Sequence, residues 1–392
     1  MPQPQIDHNP DLKHLLEDGY NVAIRNAELV ISDVPYVNSE RRIRYGTLVS
    51  TLDLAGDRTI QPESHQVQWF GEYPCNRDGT PMTSLANTTT FSGETHSFSR
   101  KPQTGKYTDY YEKMTTYVAF ISTPAEALDA SVTARSGRIE EPTEEESVFQ
   151  YLDTASSRAG IRAAATKLEL PKVALVGLGG TGSYVLDLVA KTPVKEIHLF
   201  DGDRFASHNA YRAPGAASIE ELRQHPLKVE YFRDHYSRMH RHIVAHPYHI
   251  DATNVGELND MAFVFLSVDS RNAKKLIVES LEQTQIPFVD VGMGIELVDD
   301  ALLGILAVTA STNEKRDHVK KRVALAGTEH DDEYRRNVQI ADLNALNAAL
   351  AVVRWKKLFG FYHDHLKEHF STYTISGNLL LNNDSLVPHD AA

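Results

Sequence analysis

The stretch KVALVGLGGTGSYVLDLVA, residues 172–190, decides the fold. Its opening, KVALVG, is a short apolar run without polar alternation, which predicts a strand buried on both faces, as in a parallel sheet. From Thr181 to Ala190 the pattern predicts a helix. Between the two lie Gly177, Gly179, Gly180 and Gly182. Glycine tolerates positive φ and lets backbone N–H groups approach an anion, while the N-terminus of the following helix adds positive potential. The loop therefore reads as phosphate-binding, against the plainer reading of a tight turn that holds no ligand.

Outward from this stretch the same rhythm continues. A helix over 148–167 is expected before it. After it come a strand over 197–201, a helix over 227–240, a strand over 263–269, a helix over 273–283 and a strand over 287–291. Short apolar strands alternating with helices mark βαβ units. The expected class is α/β, with a Rossmann-like, mostly parallel sheet and helices on both faces. A strand over 302–309 is expected to return antiparallel at an edge. A long helix over 340–359 carries Leu343, Leu346, Leu350, Val353 and Leu358 at near-helical spacing and is expected to bury them.

Residues 1–140 read differently. Segments 20–25, 27–32, 47–54, 66–70 and 116–122 are rich in Val, Ile, Tyr, Phe and Thr and are separated by Gly, Asp, Asn and Pro. They predict strands in a β-rich (α+β) domain. Around 135–150 the run SGRIEEPTEEES, acidic and with one proline, reads as a linker into a helix. The chain thus divides into a β-rich accessory domain, 1–140, and an α/β domain, 141–392. Two domains suit a length of 392 residues.

Composition narrows the function. Hydrophobic residues are 41% and charged residues 24%, an ordinary globular balance. No run approaches the ~20 apolar residues of a membrane span, and the polar, acidic N-terminus lacks a secretory pattern, so a cytoplasmic location is expected. One cysteine, Cys75, excludes an intramolecular disulfide framework and a cysteine zinc cluster. A net charge of −13 disfavours extended nucleic-acid binding, which depends on Lys and Arg neutralising phosphates. The histidines at 235–249 invite a metal reading, but no carboxylate completes a recognised ligand spacing, and a polar helix face accounts for them.

The glycine loop alone does not name its ligand. Gly177, Gly179 and Gly182 satisfy the GxGxxG dinucleotide pattern, and Asp201 ends the next strand where a ribose-binding acid belongs. An NAD-dependent oxidoreductase stays open at this point. The discriminating residues lie downstream, in DGDRFASHNAYR at 201–212. There Asp201 is placed for the ribose hydroxyls, Asp203 for ordering the loop, and Asn209 and Arg212 for the phosphates. Lys228 opens a helix, and Asp269 ends the strand over 263–269, where open α/β sheets place their ligands. A carboxylate there suits Mg²⁺ on a triphosphate.

With these residues in order, the region from about Ser157 onward resembles the ThiF/MoeB superfamily, which includes the ubiquitin-activating enzymes. The spacing of the glycines, Asp201, Asn209 and Arg212 matches that family's ATP motif without gaps. Asp269 matches its magnesium-binding aspartate, and Lys228 its phosphate-contacting lysine after a slightly longer segment. SerArg at 157–158 resembles the arginine that crosses a homodimer interface to the partner's ATP. The resemblance implies adenylation of a carboxylate with ATP and Mg²⁺, with Arg212, Lys228, Asp269 and Arg158 as catalytic residues. Such a carboxylate is ionised at neutral pH, so the site has to bring two anions together and stabilise spreading charge rather than supply a base.

The pattern also departs from the family. Residues 288–310 hold no cysteine for a thioester, and the paired zinc cysteines of many members are absent. Cys75, in FGEYPCNRDGTP at 70–81, is either an exposed nucleophile or a half-buried small residue. Arg271 reads either as a ligand contact or as a structural partner of Asp269. The acidic EHDDE at 329–333 reads, on family analogy, as a crossover loop near the substrate tail. The whole-chain arrangement resembles proteins encoded beside bacterial ubiquitin-like proteins and their conjugating enzymes. That resemblance implies a ubiquitin-like protein with a C-terminal glycine carboxylate as substrate, a conjugating enzyme as partner and a homodimer. Adenylation of a small molecule, peptide or tRNA base, the NAD-dependent oxidoreductase and a non-catalytic binding module are the alternatives.

Overall fold

The structure, a computed structural model, describes residues 4–25, 27–83, 85–91, 95–138, 147–159, 161–325 and 338–386. The chain divides into two compact units, Met1–Ser147 with Tyr151–Ile161, and Val148–Gln150 with Arg162–Ala392. The acidic segment at 329–333 lies outside the described residues.

In the first unit, helix α1 (Pro10–Glu17) leads into strands β1 (Asn21–Arg25), β2 (Glu28–Val37), β3 (Ile43–Thr51) and β4 (Gln66–Phe70). Strands β5 (Ala86–Phe91) and β6 (Thr95–Ser99) follow, then helix α2 (Tyr110–Glu126) and a short helix α3 (Thr154–Arg158). All six strands form one antiparallel sheet in the order β1-β2-β3-β4-β6-β5. The α+β reading of this region therefore holds, with one element reversed. Residues 116–122 are helical, inside α2, although Thr, Tyr, Val and Ile favour strands. Tyr110, Met114, Tyr117, Val118, Ile121 and Ala125 are buried at helical spacing, and the Asp109 carboxylate caps the first turn by accepting the Glu112 N–H at 2.8 Å. Packing of that face overrides β-propensity.

The same helix carries Lys113, fully buried, whose ammonium donates to Ser50 Oγ and the Ser64 carbonyl, each at 2.8 Å. Burial pushes its pKa down to about 8, with Asp53 opposing. A lysine whose folded pKa lies below its unfolded value binds fewer protons when folded, so stability rises with pH between the two. Burial also raises the pKa of Tyr110 and Tyr117, which makes the fold lose stability above the ordinary tyrosine range near pH 10. Urea melts followed by Trp69 fluorescence should therefore show this unit gaining roughly 2–3 kcal/mol from pH 8 to pH 10. Lys113→Met should remove that gain.

The second unit is built on β7 (Lys172–Val176), helix α4 (Gly180–Val189), β8 (Glu196–Phe200), helix α5 (Lys228–Tyr236) and β9 (Ile243–His246). Then come β10 (Phe263–Leu266), α6 (Arg271–Gln283), β11 (Phe288–Val298), β12 (Ala301–Ser311), α7 (Ala341–Leu358), β13 (Phe370–Thr374) and β14 (Leu379–Asn383). The sheet order is β9-β8-β7-β10-β11-β12-β13-β14. Strands β9, β8, β7, β10 and β11 run parallel, and β12, β13 and β14 add antiparallel. Alternate residues of β7 feed two cores: Val173 and Leu175 pack with the helix α4 and α7 side, Ala174 and Val176 with the α6 side. The Rossmann-like α/β class is what the sequence predicts.

Three details differ from expectation. The helix over 148–167 is interrupted: Phe149 makes a strand-like bridge to His240, and regular helix exists only at Thr154–Arg158 and Arg162–Ala165 before a 3₁₀ turn. The segment at 148–150 is extended because Val148 and Gln150 exchange backbone hydrogen bonds with Arg241 and Met239. Strand β12 is antiparallel as expected but interior, since the β13–β14 hairpin lies outside it. Helix α7 buries Leu343, Asn344, Asn347, Ala348, Ala351, Val352 and Trp355, whereas Val353 is exposed. Leu346, Leu350 and Leu358 are partly buried against the cores, so Val353 is the one expected position that faces out, and close packing on α4 brings the small residues in beside the leucines.

Candidate functional site

The strand order places the site. From β7 the chain steps outward through β8 and β9, then returns to the other side of β7 with β10. The carboxyl ends of β7 and β10 thus flank a topological switch point, where open α/β sheets bind ligands. The glycine loop leaves β7 there, and Asp269 follows β10.

The glycines of the loop serve two needs. Gly177 has φ +89°, and a Cβ on it would stand 2.6 Å from the Ser267 carbonyl oxygen. One on Gly182 would stand 2.0 Å from the Gly177 carbonyl oxygen, and one on Gly180 would stand 2.0 Å from Asn344 Nδ2. These three let strand, loop and helices close on one another. Gly179 is the exception: it precedes the first turn of α4 and faces open space. Its backbone is where an anion can approach the free N–H groups of the helix.

Asp201 is buried and holds the loop together. Its Oδ2 accepts the Leu178 N–H at 2.7 Å and its Oδ1 accepts the Asp203 N–H at 2.8 Å. Lys228, at the first turn of α5, is buried too; its ammonium lies 2.7 Å from Asp203 Oδ2 and 3.5 Å from Asp201 Oδ2. Burial alone would raise the Asp203 carboxyl, but the hydrogen bond and charge of Lys228, with His249 and His208, hold it below its ordinary value. Asn209 is buried in the short helix Ser207–Ala210, where its Oδ1 accepts the Ala206 N–H at 3.0 Å. Its carbonyl accepts the Arg212 N–H. The Arg212 Nε is buried and has no hydrogen-bond partner among the described residues. A buried, unpaired guanidinium N–H suits an anionic ligand.

Asp269 is exposed, just before Ser270 caps α6, and no hydrogen bond or ion pair joins it to another described residue. Arg158 ends α3 in the first unit. Its guanidinium is 3.0 Å from the buried Asp53 carboxylate and also pairs with Glu63. The structure therefore brings Gly177, Gly179, Gly180, Gly182, Asp201, Asp203, Asn209, Arg212, Lys228 and Asp269 to one sheet end, while Arg158 is engaged with carboxylates of its own unit.

Other polar residues at this sheet end carry no sequence motif. Asn344 of α7 is fully buried; its Oδ1 accepts from Thr181 Oγ at 3.0 Å and its Nδ2 donates to the Arg212 carbonyl at 3.3 Å. Ser267 Oγ donates to the Gly177 carbonyl at 2.6 Å. Lys274 of α6 forms a buried ion pair, 2.7 Å, with Asp290 of β11, whose carboxyl burial pushes up and Lys274 pulls down. The one signal for Asn344 in the sequence is an asparagine pair, Asn344 and Asn347, inside an otherwise apolar helix.

The histidines do not converge. His240 faces the Val194 carbonyl at 2.8 Å, and His246 bonds His198 and Tyr248. Among the described residues the one group with metal-ligand spacing is Asp201, Asp203 and His249, and the Lys228 ammonium already contacts both carboxylates. Cys75 is buried beside a cavity of about 350 Å³ lined by Ser39, Glu72, Tyr73 and Pro81. Burial pushes its thiol pKa up, and Glu72 and Asp78 add to that.

Comparison with known families agrees with this geometry. The family model "ThiF family" matches residues 155–305, and the model "Domain of unknown function (DUF6791)" matches residues 10–154. The chain carries a ThiF-family domain. This bears out the resemblance read from the glycine loop and the residues after it, and supports an adenylyltransferase domain of the ThiF type. No curated protein sequence matches the chain significantly. Among solved structures, the chain is similar to Escherichia coli MccB with MccA-N7isoASN, at 18% identity over 58% of this chain and 71% of that one, TM-score 0.48. It is also similar to E. coli MccB with ATP, at 17% identity over 56% and 65%, TM-score 0.45. PaaA gives 16% identity over 57% and 75%, TM-score 0.44. Among the described residues, no helix is long and apolar enough to cross a membrane.

Proposed function

We propose that the ThiF domain uses ATP and Mg²⁺ to adenylate the C-terminal glycine carboxylate of a ubiquitin-like protein. A carboxylate oxygen attacks the α-phosphorus, the bond to the β-phosphate oxygen breaks, and pyrophosphate leaves with the electron pair. The observation that carries this reading is the buried Arg212 Nε, without a partner among the described residues, on a residue whose backbone carbonyl is tied through Asn344 to the first turn of α4, where the helix N-terminus is open at Gly179. Both features call for phosphate.

The other roles follow from chemistry. Asp201 accepts two protein N–H groups, yet a carboxylate has about four acceptor positions, which leaves room for ribose hydroxyls. Lys228 supplies positive charge from beneath the loop, and Asn209 shapes the turn that delivers Arg212. Asp269, exposed and without a partner among the described residues, suits Mg²⁺, which when bound neutralises triphosphate charge. In a homodimer, Arg158 would reach a partner's ATP only after leaving Asp53 and Glu63. A conjugating enzyme would take the activated product onward, since the chain's single thiol is buried and hard to ionise.

ATP–pyrophosphate exchange tests the reading. Exchange should require a polypeptide ending in a free glycine carboxylate and vanish when that carboxylate is amidated. Exchange supported instead by small carboxylic acids would move the substrate to that class, and exchange with neither would overturn adenylation. Cys75→Ala should exchange at the wild-type rate and form no less product, because no thioester passes through that residue. A reducible adduct that disappears in the variant would contradict this.

A further inference from the structure

We infer that Asn344 is a positioning residue for the nucleotide phosphates: its side-chain amide fixes Arg212 relative to the N-terminus of α4. This rests on the ATP reading proposed above. The amide is held at both ends. Its oxygen accepts from the Thr181 hydroxyl in the first turn of α4, and its nitrogen donates to the carbonyl of Arg212. The orientation is unambiguous in chemical terms, because the Arg212 carbonyl can only accept, and only the amide nitrogen can donate to it.

Asn344 is fully buried on α7, well apart in sequence from both partners, so no local turn accounts for it. A polar side chain in such a place is retained only when all its groups are satisfied and a less polar residue would not serve. The neighbouring backbone is shaped around it: a Cβ on Gly180 would lie 2.0 Å from the amide nitrogen. Gly180 is therefore glycine to admit Asn344, not to admit phosphate. One amide thus ties together the two features that the proposed function assigns to phosphate, the open helix N-terminus and the backbone that carries the Arg212 guanidinium.

The test compares binding of ATP and of adenosine by calorimetry, which needs no knowledge of the carboxylate substrate. Asn344→Ala should leave adenosine affinity within about twofold and weaken ATP about tenfold, the scale of one to two hydrogen bonds. Exchange turnover should fall on the order of 10²-fold, as expected when a reacting group is displaced by ~1 Å. Thr181→Val, which deletes only the hydroxyl and keeps the side-chain shape, should give a smaller loss in the same direction and serves if the alanine variant does not fold. An unchanged ratio of ATP to adenosine affinity in folded variants would overturn the inference and leave the proposed function intact. A wild-type protein that binds adenosine and ATP equally would overturn both.

Discussion

Replacing Asp269 by alanine is expected to lower ATP–pyrophosphate exchange by about 10²–10³-fold while the melting temperature stays where it is. The expectation comes from the contrast between this carboxylate and its neighbours. Asp201 and Asp290 are buried and bonded within the protein, so removing either disturbs the fold as well as the site. Asp269 is exposed and carries no hydrogen bond or ion pair with another described residue, so its removal costs the folded state nothing identifiable. Its proposed work is with Mg²⁺ on the triphosphate, and Asp269→Asn should fail nearly as badly, since a neutral amide oxygen lacks the charge with which a carboxylate holds Mg²⁺. Adenosine binding, which involves no metal, should be unaffected. Full exchange in Asp269→Ala would remove this residue from the site, and a large drop in melting temperature would show that its role is structural.

The fold was largely legible because the decisive elements are continuous in sequence. KVALVG, the glycine loop and the following helix are one uninterrupted βα unit, and the strands after it keep the same apolar brevity. The site was legible for the same reason. Glycines, Asp201, Asn209, Arg212 and Asp269 lie just after the carboxyl ends of β7, β8 and β10, and Lys228 opens α5, so each is found by locating the end of a short apolar strand or the start of the helix that follows.

What could not be read is what depends on contact between distant segments. Asn344 looks like one polar residue in a helix until α7 packs on α4. Nothing local marks residues 116–122 as helix, since their β-branched and aromatic side chains suit a strand; the capping carboxylate Asp109 and the spacing from Tyr110 to Ala125 give the helix only when taken together. On α7 the predicted face was offset at one position, Val353, because a long helix against a small-residue partner also turns its alanines inward. For Arg158, position before the first strand suggested a role in the nucleotide site, and no sequence pattern could have shown Asp53 and Glu63 beside it.

Lys228→Met should do what Asp269→Ala does not, and lower stability together with activity. The Lys228 ammonium is buried between Asp203 and the buried Asp201. Deleting one member of a buried ion pair leaves the other uncompensated, at about 3–5 kcal/mol. The lower end is expected, because Asp201 keeps the Leu178 and Asp203 N–H donors and Asp203 is partly solvated. The pH dependence gives the sign. The folded Asp203 carboxyl is held below its ordinary value by Lys228, so the stability it contributes is complete above the unfolded value and lost as pH falls through the folded one. The gap between wild type and Lys228→Met, measured by urea melts, should therefore be widest near neutral pH and narrow as pH falls from about 4 through the lower folded value, where the carboxylates become protonated in both proteins. A gap independent of pH would mean that the methionine disturbs packing rather than charge. Exchange should fall on the order of 10²-fold at neutral pH even at temperatures where the variant is fully folded, because the charge beneath the glycine loop is gone. Lys228→Arg keeps that charge on a larger group in a buried position. It should recover part of the exchange without recovering all of the stability, which separates the electrostatic role of Lys228 from its fit.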